Sequence, residues 1–138
     1  MTKTRIDKVK ELLAVCRECN LDGLELLEKY TPRELSHIYN GIGPESFPDW
    51  LREAVDALHP SLEAVALIHD VEWSQPDKTK ERFDGSNERF KENGYKVAKH
   101  NYGWWNPMRY IVMNQARRFG NYCSLFGESA FRAGKETL

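Results

Sequence analysis

The chain has 138 residues, of which 41% are hydrophobic and 30% charged, with 20 basic side chains against 21 acidic ones. This length and composition predict a soluble globular protein of one domain, able to bury a core without disulfide or metal support. A net charge of −1 excludes a global field that attracts nucleic acid, so we expect no nucleic-acid partner. The N-terminus lacks the apolar run of a signal peptide and no segment reaches transmembrane length, which predicts a cytoplasmic protein without a membrane span.

The first forty residues carry the signals of short helices. Apolar side chains recur at helix-face spacing over residues 5–19, and a short apolar segment follows at Leu21–Leu27. Thr31-Pro32-Arg33-Glu34 is a capping box with proline at the first helical position, so a helix is predicted to begin there. That helix must end by Asn40, because two glycines and a proline come next.

The cysteines fit a buried structural role. Cys16 and Cys19 form a Cys-x-x-Cys pair, but they lie on or near the apolar stripe of the first helix, and Cys123 lies in another apolar segment. No second cysteine pair and no histidine pair completes a zinc site. We therefore interpret all three as small buried hydrophobic residues.

The remaining elements are also predicted to be helical. Helices are expected over Trp50–Leu58, from the cap at Ser61 to about Trp73, over Lys78–His100, and from Asn106 toward Phe119. Glycines punctuate the C-terminal end, and the tail from Phe131 is expected to fray. No strand-like alternation appears, so the sequence predicts one all-α domain of five to six helices. Its parts are N-terminal helices (1–40), a candidate site loop with a helix pair (41–100) and a C-terminal helix (101–138).

Helix periodicity places several polar side chains on inward faces. His69 shares an apolar stripe with Val65 and Trp73, whereas Asp70 lies near the edge of that stripe. In the following helix Asn87 lies on the inward face and Asp84 on its flank. Two antiparallel helices joined by a short turn place His69 opposite Asp84 or Asn87, and both alternatives remain open. A side chain that orients one imidazole nitrogen leaves the other free to act as a base.

The segment Tyr39-Asn-Gly41-Ile-Gly43 precedes this helix pair, and together with His69-Asp70 it resembles the phospholipases A2, in particular their shorter, disulfide-free bacterial and phage-borne relatives. The resemblance rests on Tyr39-Asn-Gly41-Ile-Gly43 and on His69-Asp70, and it covers roughly residues 39–90. It implies that the backbone carbonyls of Tyr39, Gly41 and Gly43, with the Asp70 carboxylate, bind Ca²⁺. It also implies that His69 deprotonates a water which hydrolyses the sn-2 ester of a phospholipid.

The chain departs from that family in three places. Trp73 stands where the family often has tyrosine, and Val65 and Ala66 stand where a paired-cysteine motif is found. Residues 44–60 form an insertion between loop and helix. If the family's aspartate that orients the histidine corresponds to Asn87, an amide replaces a carboxylate and the imidazolium loses its charge partner. A slow enzyme or an inactive one is then expected.

Two other functions compete with this hypothesis. His69-Asp70 on an apolar helix is also typical of HD-type metal phosphohydrolases, with His37 or His59 as the upstream ligand and Asp84 as the downstream one. The third hypothesis is a non-enzymatic phage-type helical protein that binds a protein partner through aromatic side chains. The same aromatic cluster is suited to an interfacial membrane anchor. It comprises Tyr102, Trp104, Trp105 and Tyr110, with Trp50 on the insertion.

Overall fold

The computed structural model describes residues 4–39, 53 and 57–133. These residues contain no strand, which confirms the predicted all-α fold. The elements in chain order are α1 (Arg5–Glu18), α2 (Leu24–Leu27), α3 (Pro32–Ile38), a 3₁₀ turn (Pro60–Leu62), α4 (Glu63–Ser74), α5 (Lys80–Asn101), α6 (Pro107–Phe126) and α7 (Glu128–Ala133).

Side-chain caps set the starts of most helices. The predicted capping box at Thr31 is present, because its hydroxyl accepts from the Glu34 amide while the Glu34 carboxylate accepts from the Thr31 amide. The start of α4 differs from the prediction. Ser61 does not cap it; instead the His59 ring accepts from the Ser61 amide and caps the 3₁₀ turn. The α-helix then begins at Glu63 without a side-chain cap, since the 3₁₀ turn leads directly into it.

Helix α4 is the centre of the fold. Nine of its 12 residues are buried, which requires neighbours on nearly every side. The helices α1, α2 and α3 pack on one side of it, and α5 packs on the other. Helix α5 in turn lies along α6. A polar side chain on α4 is therefore held inside the protein unless it lies at a helix end.

The C-terminal part differs from the sequence prediction in two respects. Helix α6 does not end near Phe119 but continues through Gly120 to Phe126. A Cβ atom at Gly120 would lie 3.0 Å from the Asn87 carbonyl oxygen, so this glycine permits close helix packing and does not end the helix. Phe131, expected in a fraying tail, is buried in α7, with its ring centroid 5.5 Å from that of Trp73. The aromatic contact anchors the short helix.

The other structural predictions have mixed outcomes. Cys16 and Cys123 are buried, Cys19 is half-buried, and all three are free thiols. Most of the predicted Trp50–Leu58 helix lies outside the described residues. Within the described part of the chain, no helix combines the length and the apolar character needed to cross a bilayer.

Helices α5 and α6 pack closely at Gly94, which gives a stability prediction. A Cβ atom at Gly94 would lie 2.3 Å from the Ala116 Cβ, so the helices must separate to admit it. We expect Gly94→Ala to destabilise the fold by about 1–3 kcal/mol, despite a helix-propensity gain of about 1 kcal/mol. Denaturant unfolding measures the change.

Gly85 on the same helix supplies the matched control. A Cβ atom there meets nothing within 4 Å, so Gly85→Ala should stabilise the protein by up to about 1 kcal/mol through helix propensity alone. If Gly94→Ala were as stable as Gly85→Ala, α5 and α6 would not be in close contact at Gly94.

Candidate functional site

The candidate site is centred on a hydrogen bond between α4 and α5. His69 Nε2 lies 2.9 Å from Asn87 Oδ1, and the two side chains are only 3% and 0% exposed. The short Ser74–Thr79 connection brings the helices together, as the inward stripes predicted. Of the two candidate partners of His69, the structure brings Asn87 to the ring.

Aromatic side chains enclose the imidazole. Its centroid lies 4.7 Å from that of Trp73, 5.4 Å from that of Phe90 and 5.9 Å from that of Phe119. Burial lowers the pKa of His69 to about 4, although the Asn87 hydrogen bond acts in the opposite direction. The ring is therefore neutral at physiological pH.

The amide of Asn87 also fixes the tautomer of that neutral ring. Because the amide oxygen faces the imidazole, Nε2 carries the proton and donates it, which leaves the lone pair on Nδ1. Asn87 Nδ2 is buried and has no hydrogen-bond partner in the described part of the chain. A buried donor without a hydrogen bond destabilises the folded state by about 1–3 kcal/mol. Asn87 therefore orients His69 but lowers the stability of the fold.

Asp70 is a second buried polar group beside the histidine. Asp70 is 4% exposed, and burial raises the pKa of its carboxyl group to about 8. No hydrogen bond or ion pair to this carboxylate is found among residues 4–39, 53 and 57–133. Burying a charged carboxylate without a neighbouring cation is unfavourable. The Asp70 carboxyl group therefore stays protonated until a cation binds or the pH rises above its pKa.

Tyr39 and Cys123 lie close enough to Asp70 to sense its charge. Burial, with a further contribution from the Asp70 carboxylate, raises the pKa of the Tyr39 hydroxyl and of the Cys123 thiol. Tyr39 caps the C-terminus of α3 in an extended conformation and is 5% exposed. Tyr39, the first residue of the predicted Tyr39–Gly43 loop, is thus buried within range of the Asp70 charge. Gly41 and Gly43 themselves lie outside the described residues.

Asp84 does not contribute to this cluster. Its side chain is exposed, and its Oδ2 lies 3.6 Å from Lys80 Nζ one helical turn away. The prediction that Asp84 orients His69 is therefore wrong. A charged side chain on that flank of α5 extends into solvent more easily than into the dry centre of the helix pair. His37 is exposed in the last turn of α3.

The metal set expected of an HD-type phosphohydrolase is not assembled in the part of the chain that the structure describes. Within it, no three histidine, cysteine, aspartate or glutamate side chains come together as a metal-binding group. No observation therefore favours the phosphohydrolase hypothesis.

Two features that support the site were not predicted from the sequence. Phe119 contacts the imidazole although it lies fifty residues further along the chain; its spacing with Ala116 and Cys123 could have marked it as inward-facing. Ser86 is the other, since its hydroxyl accepts from Trp73 Nε1 at 2.9 Å. That bond holds the tryptophan ring against His69.

Arg89 and Glu72 form a partly buried ion pair one helical turn from the site. Burial raises the pKa of Glu72 to about 7 even though Arg89 opposes the shift, and Glu72 Oε1 has no partner among the described residues. The pair ties α4 to α5 beside the His69–Asn87 bond. Sequence spacing alone gave no signal for it, because Glu72 and Arg89 both resemble ordinary surface residues.

Comparisons of the chain with protein-family models, curated proteins and solved structures each gave no match. The chemistry of the site is therefore the evidence for its function. That chemistry comprises a neutral histidine with a fixed tautomer, an adjacent buried carboxylate, and a dry aromatic wall.

Proposed function

We propose that the chain is a phospholipase-A2-like protein and, if active, a slow calcium-dependent hydrolase of phospholipid sn-2 esters. The observation that carries the proposal is the buried Nε2–Oδ1 hydrogen bond between His69 and Asn87, next to the buried Asp70. An oriented neutral imidazole is what proton abstraction from water requires. The sequence resemblance supplies the reaction, and this geometry supports it.

The residues have separate roles in this proposal. His69 accepts the proton of a water at Nδ1, while Asn87 holds the ring through Nε2. Trp73, Phe90 and Phe119 exclude bulk water from the imidazole. Because an amide carries no charge, Asn87 orients the ring but gives the imidazolium no ionic stabilisation, and this is the reason to expect slow turnover.

Among the described residues, Asp70 has the chemistry of a calcium ligand. Ca²⁺ prefers oxygen ligands, and Asp70 is a buried carboxylate with no cation beside it in the described chain. The carbonyls of Tyr39, Gly41 and Gly43 would complete the ligand set. When bound, calcium supplies positive charge that polarises an ester carbonyl and holds a phosphate.

Calcium binding and fatty-acid release together test the proposal. In the parent protein we expect Ca²⁺ to raise the melting temperature, and Asp70→Ala to lose that rise. Binding must displace the Asp70 proton below pH 8, so the apparent affinity should increase by up to about tenfold per pH unit between pH 6 and 8. A short-chain phosphatidylcholine dispersed as monomers serves as the substrate, with EGTA as the calcium-free arm.

Histidine variants separate the role of His69 from a general loss of folding. His69→Gln should abolish release of fatty acid, whereas His100→Gln should leave it unchanged. His100 is the matched control because its ring is exposed and lies 3.0 Å from Glu18 Oε1, so it takes no part in the His69–Asn87 pair. No melting shift at millimolar calcium, or equal hydrolysis by both variants, would refute the proposal.

A further inference from the structure

The exposed apolar side chains of the described chain are concentrated in one region. All large hydrophobic residues that are exposed in this part of the protein lie between Trp104 and Phe126. Trp104, Trp105 and Leu125 are the most exposed, at 75%, 71% and 74%. Isolated exposed hydrophobic residues need no explanation, but a group of this size on one segment indicates a contact surface.

Helix periodicity gathers several of these residues on one side of α6, apart from Tyr122 and Phe126, which lie toward the flank of Phe119. At 100° per residue, Tyr110, Ile111, Arg118 and Leu125 share the outer side of the helix, while Phe119 and the buried residues around it face inward. The two tryptophans precede the helix and are tied to it, since the Tyr110 hydroxyl donates to the Trp104 carbonyl at 2.6 Å. We call this surface the α6 outer face; it consists of Trp104, Trp105, Tyr110, Ile111, Arg117, Arg118 and Leu125.

The charge of this segment differs from that of the whole molecule. No aspartate or glutamate occurs between Glu92 and Glu128, although the chain has 21 acidic residues and a net charge of −1. Arg117 and Arg118 are exposed and form no salt bridge with any described residue, Arg117 donating instead to Asn114 Oδ1. The α6 outer face is thus cationic and apolar together, on a molecule that is otherwise slightly acidic.

We propose that the α6 outer face docks on an anionic phospholipid bilayer. Tryptophan and tyrosine favour the boundary between headgroups and acyl chains, because their rings are apolar and carry one polar atom. Arginine binds lipid phosphates in a bidentate manner, and each cation near an anionic surface strengthens binding about fivefold. The exposed aliphatic side chains of Ile111 and Leu125 add apolar surface that the hydrocarbon layer of a bilayer can bury. A nucleic acid offers no such layer.

An open cavity lies beside this surface and ends at the aromatic wall of the candidate site. It has a volume of about 550 Å³, and its lining includes Leu58, Arg118 and Phe119. Arg118 belongs to the α6 outer face, whereas the Phe119 ring lies 5.9 Å from the imidazole of His69. The volume is in the range that holds a small-molecule ligand. A lipid chain drawn from a docked bilayer would therefore reach Phe119, on the wall of the site in the proposed function, but docking itself requires no hydrolysis.

Vesicle binding in EDTA tests the docking surface without any contribution from catalysis. We expect the protein to sediment with vesicles of equal parts phosphatidylcholine and phosphatidylglycerol, and much less with phosphatidylcholine alone. Arg117→Glu/Arg118→Glu should weaken binding to the anionic vesicles by at least about tenfold. Lys10→Glu/Lys29→Glu is the matched control, because it changes the net charge equally at exposed positions away from α6.

The aromatic contribution is tested separately. Trp104→Ala/Trp105→Ala should also weaken vesicle binding, and Trp104→Phe/Trp105→Phe should restore most of it, since an aromatic ring still inserts. In the parent protein the tryptophan emission should shift to shorter wavelength when vesicles are added. Circular dichroism and melting temperatures establish that each variant is folded.

Three results would overturn the proposal. They are the absence of binding to anionic vesicles, equal weakening by the two charge-reversal variants, and a self-associated protein whose association depends on Trp104 and Trp105 and which ignores vesicles. The outcome is separable from that of the proposed function, because His69→Gln should bind vesicles like the parent. Hydrolysis of the monomeric substrate likewise needs no bilayer.

Discussion

Asn87→Asp should raise the pKa of His69 by about one to three units, from its buried value of about 4. The new carboxylate would lie where Asn87 Oδ1 now lies, 2.9 Å from Nε2, in a dry aromatic surrounding where its charge is poorly screened. If the protein is a hydrolase, turnover should also increase by at least about tenfold, since the imidazolium gains an ionic partner. Titration of the imidazole signals by NMR, with His69→Gln for assignment, measures the shift.

Asn93→Asp on the same helix is the matched control. Asn93 is also buried, but its side chain accepts from the Asp22 amide at 2.9 Å and donates to the Asp22 carbonyl at 2.8 Å. A carboxylate there loses the donor and faces a carbonyl oxygen, so we expect destabilisation without a change in the pKa of His69. An unchanged titration of His69 in Asn87→Asp would show that the two side chains do not form the pair described.

The helices and the inward direction of His69 were predictable because both follow from local rules. The capping box at Thr31 and the apolar spacing of α1 are properties of short segments, and the structure reproduces both. The stripe that contains Val65, His69 and Trp73 likewise fixes the buried side of α4 wherever the helix packs. These features depend on neighbouring residues and not on the arrangement of the whole chain.

The partner of His69 could not be chosen from the sequence. Asp84 and Asn87 are three residues apart, so they lie only about 60° from each other around α5. Both positions fit within the apolar stripe of a packed helix, which is about 100° wide or more, so periodicity alone left both open. Tertiary packing decides, because it removes Asn87 from solvent while Lys80 holds Asp84 at the surface.

The aromatic wall and the burial of Asp70 were beyond sequence reasoning for a related reason. Phe119 meets the imidazole only because α6 packs along α5, a contact between distant parts of the chain. Asp70 was expected at the edge of a stripe, but α4 is enclosed on nearly all sides and leaves no edge in solvent. Sequence periodicity identifies one buried face, whereas a central helix has several.

The enclosed position of Asp70 gives the second large expected effect, on stability against pH. Burial raises the pKa of Asp70 from 3.8 to about 8, so the folded protein keeps this proton while the unfolded chain releases it. The unfolded state then binds fewer protons between about pH 4 and pH 8, and stability falls as the pH rises through that interval. Asp70→Asn removes the titration and preserves the shape. In EDTA, the free energy of unfolding of Asp70→Asn relative to that of the parent should increase by at least about 2 kcal/mol between pH 4 and pH 8, since one pKa unit corresponds to about 1.4 kcal/mol.

His69 acts in the opposite direction, which makes the comparison between variants necessary. Its pKa is lowered from 6.5 to about 4, so its contribution to stability is lost as the pH falls through that interval. Between about pH 4 and 6.5 the two groups oppose each other in the parent, and the Asp70 effect stands alone only between about pH 6.5 and 8. Urea unfolding of the parent and of Asp70→Asn across the whole range isolates Asp70, because His69 contributes to both. Asp84→Asn, an exposed carboxylate next to Lys80, should change stability by less than about 1 kcal/mol throughout. A constant difference between Asp70→Asn and the parent from pH 4 to pH 8 would place the Asp70 carboxylate in solvent, and the calcium ligand proposed for α4 would lose its basis.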